Sequence, residues 1–410
     1  MYKAGDTYIG KAAAGSGITI STDNSNINVK DKASVEKALN ALAGKLYYTD
    51  AANGKENLTG KVQIASGLTG SSASQQIGDL KFDADKNGQG SYVEGTAAPE
   101  FNDITLGDYE TLMMYGARAA MVDSMVAWRD TSAESFVRAN ELHSGAEEGA
   151  WARINHGKVK YEGAGTEIDG NYNAVQVGFD RNLGYGWKAG LMFDYRDGNS
   201  NYKMGSTGEH ELYGLGMYGT KDLGAGSYLD VVAKLGKVEN DFVARNEIGQ
   251  ELRGQYGAEA YSLSAQYGKR FENDNGSYIE PQLQFTWARV NSDNYDSHSG
   301  KFVMNVDQGA FDSFVGRIGL AAGSNTDRGG WYTRLSLAHE FAGDIDGIYL
   351  ADDGGLKKTQ FDAGDTWSEL TVGGSYKMSQ CSNFYADVTK TLTGDYKQDW
   401  KINAGLSFNF

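Results

Sequence analysis

The sequence predicts an all-β transmembrane barrel of about twelve antiparallel strands with an N-terminal α-helix in its lumen. Three observations carry that reading. From Glu148 to Phe410, strand-like stretches of roughly ten residues or more follow one another without a break. Their side chains alternate in character, and the joins between them alternate between short and long. The last stretch is the clearest: Ile402, Ala404, Leu406, Phe408 and Phe410 alternate with Lys401, Asn403, Gly405, Ser407 and Asn409. Successive side chains on a strand point to opposite faces, so one face is wholly apolar and the other polar.

The pattern recurs upstream. Trp187, Ala189, Leu191, Phe193 and Tyr195 alternate with Lys188, Gly190, Met192, Asp194 and Arg196, and Ile279, Leu283, Phe285 and Trp287 alternate with Glu280, Gln282, Gln284 and Thr286. A soluble sandwich also alternates, but its strands are usually shorter. Strand candidates fall near 149–161, 171–183, 186–198, 209–221, 227–239, 257–271, 277–291, 311–323, 330–342, 366–378, 382–392 and 398–410. An even number suits a bacterial barrel. The first candidate does not keep one phase, so a bulge near Asn155–Gly157 is expected. Aromatics gather near strand ends, and Trp187, Tyr195, Trp287 and Trp331 are expected at the two membrane interfaces. The short joins include Asn182–Gly186 and Leu223–Gly226; the long ones include Glu239–Gln255 and Ala342–Asp365.

Residues 1–105 differ in texture. They are rich in Gly, Ser, Asn and Asp, with short strand-like pieces at Ile18–Ile20, Ile27–Val29 and Lys61–Ile64 and one helical stretch, Ala33–Leu42. A flexible or tag-like region is the competing reading. Residues 106–147 change period. Leu112, Met113, Ala119, Ala120, Val122, Met125, Val126 and Trp128 give an apolar stripe at helical spacing. A second, more polar helical piece is expected to start at Thr131 or Ser132 as its cap, to carry Phe136, Val137, Arg138, Asn140, Glu141 and Leu142, and to stop at Gly145. A polar helix faces solvent, and the water-filled lumen of a barrel would suit it.

Composition narrows the classes. Fifty-five glycines and two prolines fit many strands and turns. Mean hydropathy of −0.50 and the lack of a long apolar run exclude a helical membrane protein but not a barrel, where only alternate residues face lipid. A net charge of −16 argues against a nucleic-acid partner. The single Cys381 excludes an intrachain disulfide. Met1–Asp6 has no apolar core of a secretion signal, so on the barrel reading a signal peptide and upstream sequence are expected to be missing. No catalytic, cofactor or metal motif stands out, and no enzyme activity is expected. The five histidines form no metal-ligating spacing, and His339-Glu340 lacks the second His of a zinc-protease motif. Asp344-Ile345-Asp346-Gly347 and Asp352-Asp353-Gly354 read as loop turns.

From about Thr131 to Phe410 the chain resembles the autotransporter translocator domain of type V secretion. A helix precedes Gly149-Ala150-Trp151-Ala152-Arg153, which resembles the start of that family's first strand. Tyr278-Ile279-Glu280-Pro281-Gln282 resembles its mid-barrel Glu-Pro-Gln strand, His339-Glu340-Phe341 its His-Glu-Phe strand end, and Asn403-Ala404-Gly405-Leu406 through Phe410 its closing strand. The order of these elements carries the likeness. It implies an outer-membrane barrel that exports and displays its own passenger. Residues 1–105 would be the end of that passenger, 106–147 a helical linker with its second half in the lumen, and 148–410 the barrel. Lumen contacts would fall to Phe136, Arg138, Asn140 and Glu141. Leu406, Phe408 and Phe410 would be read by the barrel-assembly machinery, with periplasmic chaperones, outer-membrane lipid and the passenger as further partners and a monomer as the unit. Self-cleaving members cut at an Asn pair in the lumenal helix. This helix has Asn140-Glu141 only, so the passenger is expected to stay attached or to be cut by another protease. The alternatives are a porin-like diffusion channel, which would not need residues 105–145, and a soluble adhesive β-protein.

Overall fold

The computed structural model describes residues 7–12, 18–21, 46–50, 61–65, 79–81, 112–163, 165–245, 251–300, 302–351 and 356–409. The chain forms two units. In the first, Thr7–Ala12 pairs in parallel with Leu46–Asp50, and Ile18–Ser21, Lys61–Ala65 and Asp79–Lys81 form a three-stranded sheet. Two of the expected strand pieces are therefore present. The expected strand Ile27–Val29 and helix Ala33–Leu42 lie outside the described residues.

The second unit is a closed barrel. Its twelve long strands are β1 (Ala150–Gly163), β2 (Thr166–Gly184), β3 (Trp187–Asn201), β4 (Thr207–Gly224), β5 (Ser227–Arg245), β6 (Glu251–Lys269), β7 (Ser277–Val290), β8 (Phe311–Thr326), β9 (Gly329–Glu340), β10 (Thr366–Ser379), β11 (Ser382–Thr393) and β12 (Tyr396–Phe408). Each pairs antiparallel with the next, and β12 closes on β1. All twelve expected strands are found. Most run further at the long-join ends, where segments read from sequence as loops continue the ladder. β5 and β6, for example, stay paired from Ser227↔Lys269 to Arg245↔Glu251.

The alternation resolves into an outer apolar face and an inner polar one. On β12, Ile402, Leu406 and Phe408 point outward at 50%, 37% and 45% exposure, while Asn403 and Ser407 are buried inside. On β7, Ile279, Leu283, Phe285 and Trp287 are outward, and Tyr278, Glu280, Gln284 and Thr286 inward. Such a face costs nothing only against lipid: an apolar patch of this extent is not tolerated in water. Phe410 lies outside the described residues.

The expected bulge near Asn155–Gly157 is absent. β1 keeps unbroken register with β2, with Trp151, Arg153, Asn155 and Val159 inside and Ile154 and His156 outside. The phase only looked broken because both faces mix polar and apolar residues. The irregularity is on the opposite side of the seam, between Gln398 and Trp400 of β12. There the Gln398 side-chain amide donates to the carbonyls of Lys158 (3.0 Å) and Trp400 (3.1 Å), restoring bonds that the shifted ladder lacks.

Replacing Leu191, 59% exposed near the middle of the outward face of β3, by Arg is expected to destabilise the barrel by about 2–4 kcal/mol. The urea midpoint of the folded, heat-modifiable form in lipid vesicles measures this. An unchanged midpoint would contradict the lipid-facing assignment.

Candidate functional site

Twelve strands about 4.8 Å apart and tilted about 40° give a wall roughly 12 Å in radius. Inward side chains take up about half of that, which leaves room for one α-helix. One helix fills it. α1 (Leu112–Ala133) continues through a single 3-10 turn, Glu134–Phe136, into α2 (Val137–His143). The expected break and cap at Thr131 or Ser132 does not occur. Both hydroxyls instead bond back along the helix, to the carbonyls of Ala127 (2.7 Å) and Trp128 (2.8 Å), as Ser and Thr do inside helices without water. α2 ends as expected: Gly145 takes a positive φ of 94°, and Ser144 and Ala146 bond back to Asn140 and Glu141 carbonyls.

The enclosed stretch is longer than the second half expected from sequence. Every residue from Tyr115 to Arg129 is buried, because the wall strands extend beyond the membrane-spanning length and surround α1 as well. Asn240 and Tyr256 donate to the Ala120 carbonyl at 3.2 and 2.9 Å. Tyr202 donates to Asp123 at 3.0 Å, and His210 lies 3.2 Å from the same carboxylate. Trp128 donates its indole N–H to the Tyr261 carbonyl at 3.0 Å, and its ring lies against Gly236. A Cβ at Gly236 would come within 2.8 Å of that ring, so the close approach of helix and wall requires glycine there.

The charged groups of the helix find wall partners in sequence. Arg129 lies 3.6 Å from Glu340 and stacks on Trp367 and Tyr396. Asp130 meets Arg196 at 3.1 Å, Glu134 meets Lys401 at 2.7 Å, and His143 meets Asp230 at 2.8 Å. Lys234 and Asp194, both on the wall, pair at 2.5 Å beside Trp128. The densest contact is at Arg138, which is 1% exposed. Its Nε and Nη2 grip Asp180 in a two-pronged bond at 2.7 and 3.0 Å, and Nη2 also donates to the Glu147 carbonyl. Asp180 in turn accepts from the Gly149 N–H (2.8 Å) and the Tyr218 hydroxyl (2.5 Å), and Tyr218 accepts from Trp151. One buried carboxylate thus ties the helix, the connection after it and the first strand together. Gly149 is held so close to β12 that a Cβ would overlap the Phe408 carbonyl oxygen.

Of the four helix residues singled out from sequence, Phe136, Arg138 and Asn140 meet the wall directly, and Glu141 pairs with Arg138. Phe136 packs with Leu142, Trp151, Met192, Tyr218 and Val232. Arg138 and Glu141 pair with each other at 3.3 Å, and Asn140 accepts from Gln266 at 2.9 Å. Their partners Asp180, Tyr218 and Gln266, and the Glu134–Lys401 pair, were not singled out; inward phase was the only signal for the wall residues. Trp187, Trp287 and Trp331 are outward at 39%, 39% and 58% exposure, and Tyr195 is outward beside Tyr213. Trp187 and Trp331 stand at the short-turn ends of their strands, and Tyr195 and Trp287 lie roughly 20–25 Å further along the barrel axis.

The helix does not fill the lumen evenly. Beside α2 lies a cavity of about 360 Å³, lined by Asn140, Glu141, Glu280, Arg334, Tyr385 and Asp387 among others. Among the described residues, no group of His, Cys, Asp and Glu is placed to hold a metal ion.

Residues 150–389 match the family model of the autotransporter β-domain. Among curated relatives, the pertactin autotransporter of Bordetella parapertussis is 25% identical over 271 residues, 64% of this chain and 28% of the relative. The serine protease pet autotransporter of Escherichia coli is 26% identical over 270 residues, 64% of this chain and 20% of the relative. The chain thus spans less than a third of the curated relatives it matches. In fold, it resembles the β-domain of the Bordetella autotransporter BrkA (TM-score 0.54, 23% identity, 65% of this chain and all of that one). It also resembles the translocator domain of the autotransporter NalP from Neisseria meningitidis (TM-score 0.57, 14% identity, 70% and 98%).

Replacing Arg138 by Met leaves Asp180 buried without its cation and is expected to cost about 3–5 kcal/mol. The double variant Arg138→Met/Asp180→Asn is expected to cost less than the two single changes summed, by at least about 1 kcal/mol. Urea unfolding of the four proteins measures the coupling. Strict additivity would show that the pair does not hold the helix.

Proposed function

The chain belongs to the autotransporter family through its β-domain, and from that premise we propose that it anchors in the outer membrane and displays residues 1–105 as the end of a longer passenger. In this reading residues 106–147 link passenger to barrel and 148–410 are the translocator. The observation that supports it most is the helix running the length of the lumen and joined through Gly149 to the first strand. A diffusion porin gains nothing from such a plug. A soluble adhesive protein would not carry Leu191, Leu215, Leu263, Ile318 and Leu335 at more than half exposure around its girth.

The protein's own work is physical rather than catalytic: the barrel provides a path and then a stopper. Leu406, Phe408 and Phe410 would present the closing strand to the barrel-assembly machinery, with its unpaired edge available for strand addition before β12 meets β1. Periplasmic chaperones would hold the unfolded chain before that. Trp187, Trp331, Tyr195 and Trp287 would mark the two membrane interfaces. Phe136, Arg138, Asn140 and Glu141 would keep the linker seated once the passenger is out. With Asn140-Glu141 in place of an Asn pair in the helix, the passenger would stay attached or be cut by another protease.

With a secretion signal before residue 1 and an epitope near Asn24, cells treated with external protease are expected to lose the epitope and keep a heat-modifiable membrane fragment. An epitope protected behind an intact outer membrane would overturn the translocator reading and move a porin or periplasmic role ahead.

A further inference from the structure

We propose that Arg181, Trp187 and Lys221 form a headgroup site for an anionic phospholipid in the leaflet at the short-turn end of the barrel. The proposal rests on the membrane reading above and adds a specific ligand to it.

The three residues share the outward face of neighbouring strands. Arg181 stands opposite Ala189, Ala189 opposite Gly219, and Trp187 opposite Lys221. Two long cations therefore flank a floor of two small residues, with an indole along one side. The Trp187 ring lies against Gly219, 3.5 Å from where a Cβ would stand, so the indole covers that part of the floor and leaves Ala189 beside Arg181. Lys221 holds its ammonium 5.4 Å above the Trp187 ring and donates to the Tyr185 carbonyl. Arg181 is exposed and takes part in none of the ion pairs among the described residues.

The nearby carboxylates are engaged elsewhere. Asp180 points inward to Arg138, Glu148 pairs with Lys188 at 3.4 Å, and Asp222 accepts from the Gly224 N–H at 2.8 Å. Outward carboxylates on these strands lie at the other end. Glu211 accepts from Tyr195 and Tyr213, and Glu259 from Tyr261. Around this site the outward surface is thus cationic at the short-turn boundary, with the outward carboxylates of β3 and β4 near the other end. A planar guanidinium matches a phosphate with two donors, an ammonium adds a point charge, and an indole seats at the level of the headgroups. Those three chemistries together fit a phosphodiester bearing net negative charge better than a zwitterionic headgroup, whose own cation would face Arg181 or Lys221.

The test is native mass spectrometry of the full chain in detergent, titrated with phosphatidylglycerol or with phosphatidylcholine of the same acyl chains. Phosphatidylglycerol is expected to bind more tightly, and Arg181→Gln and Lys221→Gln each to weaken it about fivefold. Arg181→Lys with Lys221→Arg is expected to keep most of the preference, and 0.5 M salt to reduce it in the unaltered protein, which needs no variant to fold. Equal binding of the two lipids, or an undiminished preference in the Arg181→Gln/Lys221→Gln protein, would overturn the site while leaving the membrane reading intact. Failure to bind either lipid would instead count against the membrane reading and the site together.

Discussion

The structure depends on one constraint: a charged helix has been placed inside a closed wall. Each ionised group taken from water is unfavourable unless an opposite charge or donors replace the lost solvation. Arg129, Asp130, Glu134 and Arg138 each meet such a partner on the wall. The wall in turn spends its inward positions on Asp180, Arg196, Asp230, Glu340 and Lys401 rather than on apolar packing. This explains a low mean hydropathy in a chain that spans a membrane. Many large apolar side chains of the wall are turned outward, and inside, paired charges sit beside an apolar cluster around Phe136.

The barrel was legible from sequence because its signal is local. A strand of this kind announces both faces in ten residues, so all twelve strands and the order of short and long joins could be read without knowing any contact. The site was legible only in half. Phe136, Arg138, Asn140 and Glu141 lie on one helix and could be seen as a polar stretch needing a polar lumen. Asp180 and Lys401 are 42 and 267 positions from their partners Arg138 and Glu134, and nothing local distinguishes them from Asp194 or Lys188. Only register and closure decide which inward charge meets the helix. The misread cap at Thr131 has the same origin. Its preference for a helix start is a property of helices in water, and inside the barrel its hydroxyl turns back to Ala127 because no water competes.

The asymmetry of the lumen follows from the same pairing. The lower helix is held mainly by β2, β4, β5 and β6, through Asp180, Tyr218, Asp230 and Gln266. The cavity of about 360 Å³ lies on its other flank, toward β7 to β11. Arg270 bridges the two sides, reaching Glu280 of β7 at 2.5 Å and the carbonyl of His143 at 2.8 Å. A plug bonded evenly all round would lack this cavity. One bonded along a single flank can be both fixed in place and partly hydrated.

Buried ion pairs rarely add much net stability, since an apolar replacement of equal shape does as well or better. Their value here lies in register. Glu134 and Arg138 are one helical turn apart and face Lys401 and Asp180. Slide the helix one turn toward the short-turn end, and Glu134 is brought to Asp180, carboxylate on buried carboxylate. Slide it one turn the other way, and Arg138 is brought to Lys401, cation on cation, while Asp180 is left facing Leu142. The first displacement gives Lys401 a new carboxylate in Asp130 but buries Glu134 against Asp180, and the second loses both attractive contacts, whereas an apolar helix in an apolar bore would slip with little change in energy. The change of sign between Glu134 and Arg138, one turn apart, therefore favours the seated position, as a single polar residue fixes the register of a coiled coil. A strand-borne wall can hold a helix of any depth; this pair of charges selects one.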